Sequence, residues 1–158
     1  MHTDTMHHVQ QSWALVQPIA PQAAALFYGH LFALDPTLRP LFKGDMAGQG
    51  RQLMRMISAA VDRLGAPHTL IPVLQDLGRR HAGYGVQDCH YATVGSALLA
   101  TLAQGLGEAF SPAVRDAWQQ VYGLISQTMM AAAAAPQDVA LHGAAPALPA
   151  PSPSLAAA

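Results

Sequence analysis

Charged side chains are scarce in this sequence: Asp, Glu, Lys and Arg make up 11% of its 158 residues, and the formal net charge is −1. A charge this small offers no basic surface for a phosphate backbone, which excludes nucleic acid as an expected partner. No apolar run approaches the roughly 18 residues that a membrane span requires. The N-terminal stretch MHTDTMHHVQQSW has neither the basic start nor the apolar core of a secretion signal. Cysteine is nearly missing as well. With Cys89 alone, no intrachain disulfide is possible, and a reducing compartment, the cytoplasm, is expected. Strand signals are almost absent, and no Gly-rich dinucleotide motif follows a strand.

Apolar side chains are abundant, at 51% of the chain, and the length suffices for one domain with a sizeable core. Residues 1–130 carry nearly all the aromatic and charged side chains and are expected to form that domain. From Ala131 onward, 18 of 28 residues are Ala or Pro and Asp138 is the only formal charge. Five prolines there forbid a continuous helix and offer nothing to pack, so residues 131–158 are expected to form a disordered or polyproline-like tail. The start of the alanine run prolongs the last helix in this reading.

Helix punctuation is regular up to that point. Trp13 lies in a first helix that Pro18 ends, and Pro21 suits the first turn of a second helix running to Leu34. Asp35-Pro36 opens a short helical segment reaching Phe42. A long helix is expected from about Ala47 to Leu64, with Gln49, Leu53, Ile57, Ala60 and Leu64 inward. Pro67 and Pro72 bracket the start of the next helix, and Asp88 is the expected cap of its successor, whose stripe is Tyr91, Val94, Leu98 and Leu102. Ser111-Pro112 starts the last helix, with Val114, Trp118, Val121 and Ile125 inward. The fold class is therefore all-α, with seven or so helices.

His81 is the position where this pattern breaks. Leu70, Leu74, Leu77 and His81 are spaced four, three and four apart, which puts them on one helix face, ahead of Gly83 and Gly85. An imidazole at the end of an apolar stripe either finds a hydrogen-bond partner or ligates something. Tyr28, Gln49 and Phe42 join it on inward faces. Singly, each has a plain structural reading: a packed ring, a helix start, a core aromatic. Together they fit a flat metal macrocycle, which needs an axial imidazole, an aromatic wall and hydrogen-bond donors opposite.

The segments LFYGHLFALDPTLRPLF, QGRQLMRMISAAV, LQDLGRRHAGYGVQDCHYATVGSALL and AWQQVYGLI resemble the globin family, in particular bacterial single-domain haemoglobins related to the haem domain of flavohaemoglobins. The resemblance covers roughly residues 5–130. It implies a three-over-three helical sandwich and haem b, with His81 as the proximal iron ligand and Phe42 as the aromatic stacked on the porphyrin. The cofactor pocket would take in Phe42, Leu53, Leu77, Val86, Tyr91 and Val94. On the distal side, Tyr28 and Gln49 match the pair of hydrogen-bond donors and Leu53 the apolar residue over the ligand. Tyr91 matches a tyrosine lying near the proximal histidine. Where flavohaemoglobins place a glutamate on the last helix, this chain has Ala133, which implies a weaker electronic push on the iron. Arg79 and Arg80 are expected on a solvated helix face, with one in reach of a haem propionate. Of the remaining histidines, His30 and His90 are expected to face away from the inward set.

Two function classes follow. The first is reversible binding of dioxygen (and CO or NO) at ferrous haem iron, for storage, delivery or sensing, with Tyr28 and Gln49 giving high affinity and slow release. The second is an enzyme converting NO to nitrate, for which an external reductase would be the expected partner. A haem-free structural globin is the least favoured reading, since a haemless core would do better with apolar side chains at His81, Tyr28 and Gln49.

Overall fold

The computed structural model describes residues 2–42 and 44–135. These form six α-helices: α1 (Thr3–Val16), α2 (Ala20–Leu34), α3 (Met46–Asp62), α4 (Pro67–Gly83), α5 (Asp88–Leu106) and α6 (Pro112–Ala134). Three short 3-10 turns join them at Gln17–Ile19, Pro36–Leu41 and Gly107–Ala109. No strand occurs among the described residues, so the all-α expectation holds.

Most boundaries follow from side-chain caps. The Asp35 carboxylate accepts from the Thr37 N–H, Asp45 from Ala47 and Ser111 from Val114, each at 3.0–3.2 Å. Two details differ from expectation. Pro72 does not mark a start: α4 opens at Pro67 and runs through Pro72. It forfeits one backbone bond in its second turn, which the apolar face of Leu70, Leu74 and Leu77 offsets by burial. The cap of α5 is Gln87, not Asp88. Gln87 and His90 exchange side-chain and backbone hydrogen bonds as a capping box, which leaves Asp88 as a first-turn carboxylate.

Helix α4 packs on α6, α2 on α5 and α3, and α1 on α6. One crossing is tight enough to dictate its residue. A Cβ on Gly78 would lie 2.1 Å from the Met129 carbonyl oxygen, so α4 meets the α6 backbone only through a glycine. In contrast, α3 and α4 are not among the packed helix pairs. Their facing apolar side chains turn toward the space between them. The core is anchored at its far side by Trp13 and Trp118, edge to face at 5.9 Å. Their indole N–H groups donate to Ser58 and Ser12.

The last helix extends past residue 130, with Met129 and Ala132 buried, so the start of the alanine run belongs to the folded body. The expected tail beyond Ala135 lies outside the described residues. Among the described residues no helix is long and apolar enough to cross a membrane.

Candidate functional site

The space between α3 and α4 is a cavity of about 150 Å³, closed below by α5 and α6. Leu53, Met56 and Ile57 of α3 form one wall. Leu70, Leu77 and His81 of α4 form the other, and Tyr91, Val94, Tyr122 and Ile125 the floor. Phe42 and Val86 complete two edges. No Asp, Glu, Lys or Arg lines it among the described residues, so an ion pair does not organise the site. Of the pocket residues read from the sequence, Phe42, Leu53, Leu77, His81, Val86, Tyr91 and Val94 are all brought together here.

Helix α4 ends so as to place His81. Gly85 adopts φ +93°, a left-handed conformation that favours glycine. The Gly85 N–H donates to the Ala82 carbonyl and the Val86 N–H to the His81 carbonyl, at 3.1 and 3.0 Å. This paired closure turns the chain back so that Val86 lands on the cavity beside His81. The His81 ring is itself fixed: Nδ1 lies 2.7 Å from the Leu77 carbonyl oxygen. A carbonyl only accepts, so Nδ1 carries the proton, and in the neutral ring the lone pair then sits on Nε2. The Tyr84 and Tyr91 rings flank it at 6.4 and 6.5 Å.

Tyr28 and Gln49 are both buried, but neither is on the cavity lining. Tyr28 sits one ring behind it, edge to face with Phe42 at 5.3 Å and stacked near Phe32 at 6.0 Å. Arg39 covers the outer side of this cluster, its guanidinium 5.2 Å from the Phe32 ring centre. The Tyr28 hydroxyl is fully buried and has no hydrogen-bond partner among the described residues. Burial raises its pKa well above the ordinary phenol value, so the hydroxyl remains a proton donor across the working pH range. A buried hydroxyl without a partner costs about 1–3 kcal/mol, and this cost is borne beside Phe42, just off the cavity lining.

Tyr91 is pushed up to about 12, first by burial and then by the nearby Asp88 carboxylate. Tyr122 is raised as well, by burial and then by Tyr91. Its hydroxyl donates to the Tyr91 backbone carbonyl at 2.6 Å, tying α6 to the first turn of α5. All three tyrosines are thus neutral.

The sequence reading missed two of the polar lining residues. Tyr122 lies one position off the Val121 stripe, but α6 is covered on two faces and its ring fits against Gly95. His90, expected to face away, is half-buried and lines the cavity. The Gln87-x-x-His90 capping spacing was the signal that places it. Its Nδ1 accepts from the Gln87 N–H at 3.0 Å, which forces the opposite tautomer from His81. Of the two lining imidazoles, His81 has the Nε2 lone pair, whereas His90 has an Nε2–H. His30, as expected, is elsewhere, bonded to Gln104. Arg80 is engaged by Asp76 on its own helix.

The comparisons agree with this architecture. The family model described as Globin matches residues 25–129. The chain is 33% identical over 107 residues to flavohemoproteins of Bordetella parapertussis and Bordetella bronchiseptica, covering 66% of this chain and 27% of each of theirs. It thus spans about a quarter of the length of those two relatives. It is 34% identical over 136 residues to neuroglobin of Danio rerio, covering 77% of this chain and 85% of that one. With the six helices of its described residues, the slot between α3 and α4 and these relatives, the chain belongs to the globin family.

Proposed function

We propose that the chain holds haem b in the cavity between α3 and α4, with His81 as the iron's protein ligand, and that it reversibly binds dioxygen. The observation that carries this reading is the fixed tautomer of His81. Its Nδ1–H is committed to the Leu77 carbonyl, so in the neutral ring the lone pair that would hold an iron is on Nε2, at a slot that no Asp, Glu, Lys or Arg lines among the described residues. Among the described residues, no three His, Cys, Asp or Glu are grouped to hold a bare metal ion. A single imidazole suits a metal that arrives in its own macrocycle. Haem, when bound, supplies the ferrous iron at which a diatomic gas is taken up and released.

The remaining roles belong to this chain's own residues. Phe42, Leu53, Leu77, Val86 and Val94 exclude water and pack the macrocycle's faces. The Tyr28 hydroxyl, buried with no partner among the described residues and packed against Phe42 just off the lining, would serve as a donor to a ligand that draws negative charge once side chains at the slot adjust to the macrocycle, with Gln49 of α3 as the second donor. Two such donors imply tight dioxygen binding and slow release. Similarity to the flavohemoproteins supports the alternative reading, NO dioxygenation with an external reductase. The cavity lining favours simple binding, because among the described residues it holds no carboxylate to enrich the proximal imidazole.

The test is reconstitution with haem, reduction, anaerobic titration with dioxygen, and then addition of NO with nitrate measured. Stoichiometric haem uptake with reversible dioxygen binding is expected, and sustained nitrate formation only when a reductase is supplied. Failure to take up haem one to one would overturn the reading. Sustained, fast nitrate turnover would move the enzyme reading ahead.

A further inference from the structure

We propose that His90 is a cofactor-anchoring residue, whose Nε2–H hydrogen-bonds a carboxylate of the group held in the cavity. The inference rests on the haem reading above and adds a contact that neither the sequence stripes nor the comparisons assign. Haem is apolar over its faces but carries propionate carboxylates on one edge. Those carboxylates need donors where the cavity meets solvent.

The lining offers few. Among the described residues it contains no Lys or Arg, and Arg80 is drawn to Asp76 instead. The Trp118 indole N–H is spent on Ser12 and the Tyr122 hydroxyl on the Tyr91 carbonyl. His81 serves the metal. The Tyr91 hydroxyl and His90 remain; Tyr91 is buried beside His81, whereas His90 is half-buried, toward the rim, with its ring oriented by the backbone. Because the Gln87 N–H donates to Nδ1, that nitrogen is unprotonated and the ring's proton is on Nε2. The capping box thus does two things at once. It starts α5, and it holds a single N–H donor in one tautomer at the edge of the slot.

The experiment measures haem loss to an excess of apoglobin scavenger, using protohaem and its dimethyl ester, in which both carboxylates are methylated. His90→Glu keeps an acceptor for the Gln87 N–H and so preserves the cap, but it removes the donor. His90→Gln keeps both cap and donor. Circular dichroism of the haem-free proteins checks that each variant is folded. With protohaem, His90→Glu is expected to lose haem about tenfold faster than wild type, and His90→Gln to stay within about threefold. With the dimethyl ester, all three proteins should lose the group at similar rates. Unchanged protohaem loss from His90→Glu would overturn the assignment, as would equal acceleration with the ester. A wild-type chain that takes up neither form would overturn the haem reading itself, and with it this one.

Discussion

Replacing Tyr28 by Phe should move stability and gas binding in opposite directions. The hydroxyl is buried, has no partner among the described residues, and lies among the Phe27, Phe32 and Phe42 rings. Removing it relieves a desolvation penalty of about 1–3 kcal/mol in the haem-free protein. At about 2–4 °C per kcal/mol for a domain of this size, the haem-free Tm should rise by about 2–12 °C. In the loaded, ferrous protein the same change removes a donor to a ligand that draws negative charge, worth roughly 1.5–3 kcal/mol. Dioxygen release should then accelerate by about tenfold to a hundredfold, whereas carbon monoxide release, with far less charge to stabilise, should change little. Differential scanning calorimetry of the haem-free pair and stopped-flow release of both gases test the two halves. A lower Tm in Tyr28→Phe would show that the hydroxyl is satisfied in the native protein. Equal effects on both gases would make Tyr28 a steric residue.

Four further outcomes are expected. His81→Ala should lose the stoichiometric Soret band or need added imidazole to recover it, and a variant with a normal five-coordinate ferrous spectrum would mean that another residue is the ligand. Gly78→Ala should lower Tm sharply, by roughly 3 kcal/mol or more of stability, since the new methyl would strike the Met129 backbone rather than a flexible side chain. Stability should be fully present below pH 10.0 and fall as pH rises toward about 12 and beyond, because the unfolded chain ionises Tyr28, Tyr91 and Tyr122 while the folded one resists; Tyr91→Phe should make that alkaline limb of a urea-midpoint profile shallower without abolishing it. Truncation after Ala135 should leave haem content, ligand rates and Tm nearly unchanged, and a large loss of Tm would show that the tail docks on the body.

Elements with strong local rules were legible in the sequence. The Ser111-Pro112 and Asp35-Pro36 starts fell where side-chain caps and proline's fixed φ put them. The α4 stripe read correctly through Leu77 to His81 because all four residues face the same side. The errors came where one residue served two partners. Asp88 satisfies the residue preference for a cap, but the Gln87–His90 exchange satisfies two backbone groups and prevails. His90 was placed off the cavity by counting from Tyr91, a count that ignores how the capping box turns its ring. The crossing at Gly78 was invisible, since which backbone a glycine admits is decided by a helix some 50 residues away. Tyr28 reads as an inward polar residue, but its packing against Phe42 just off the lining is a tertiary fact.

The two lining histidines also bear on the choice between the binding and the oxidative readings of the site. Each ring is fixed by a backbone group: the Leu77 carbonyl takes the proton of His81, and the Gln87 N–H occupies Nδ1 of His90. A neutral carbonyl orients an imidazole but leaves it little more basic than it was. A carboxylate in that position would make it a much stronger donor to iron. The last helix reaches Ala134, so Ala133 is helical and half-buried, but it brings no acid to the slot. The iron–histidine stretch of the wild type should therefore be that of an oxygen carrier. Ala133→Glu should raise that frequency, and with it peroxidase turnover, if its carboxylate enters the proximal network through Tyr91. A wild-type protein that already shows a peroxidase-like stretch would contradict the argument from the Leu77 carbonyl, and NO dioxygenation would then become the better account of this cavity.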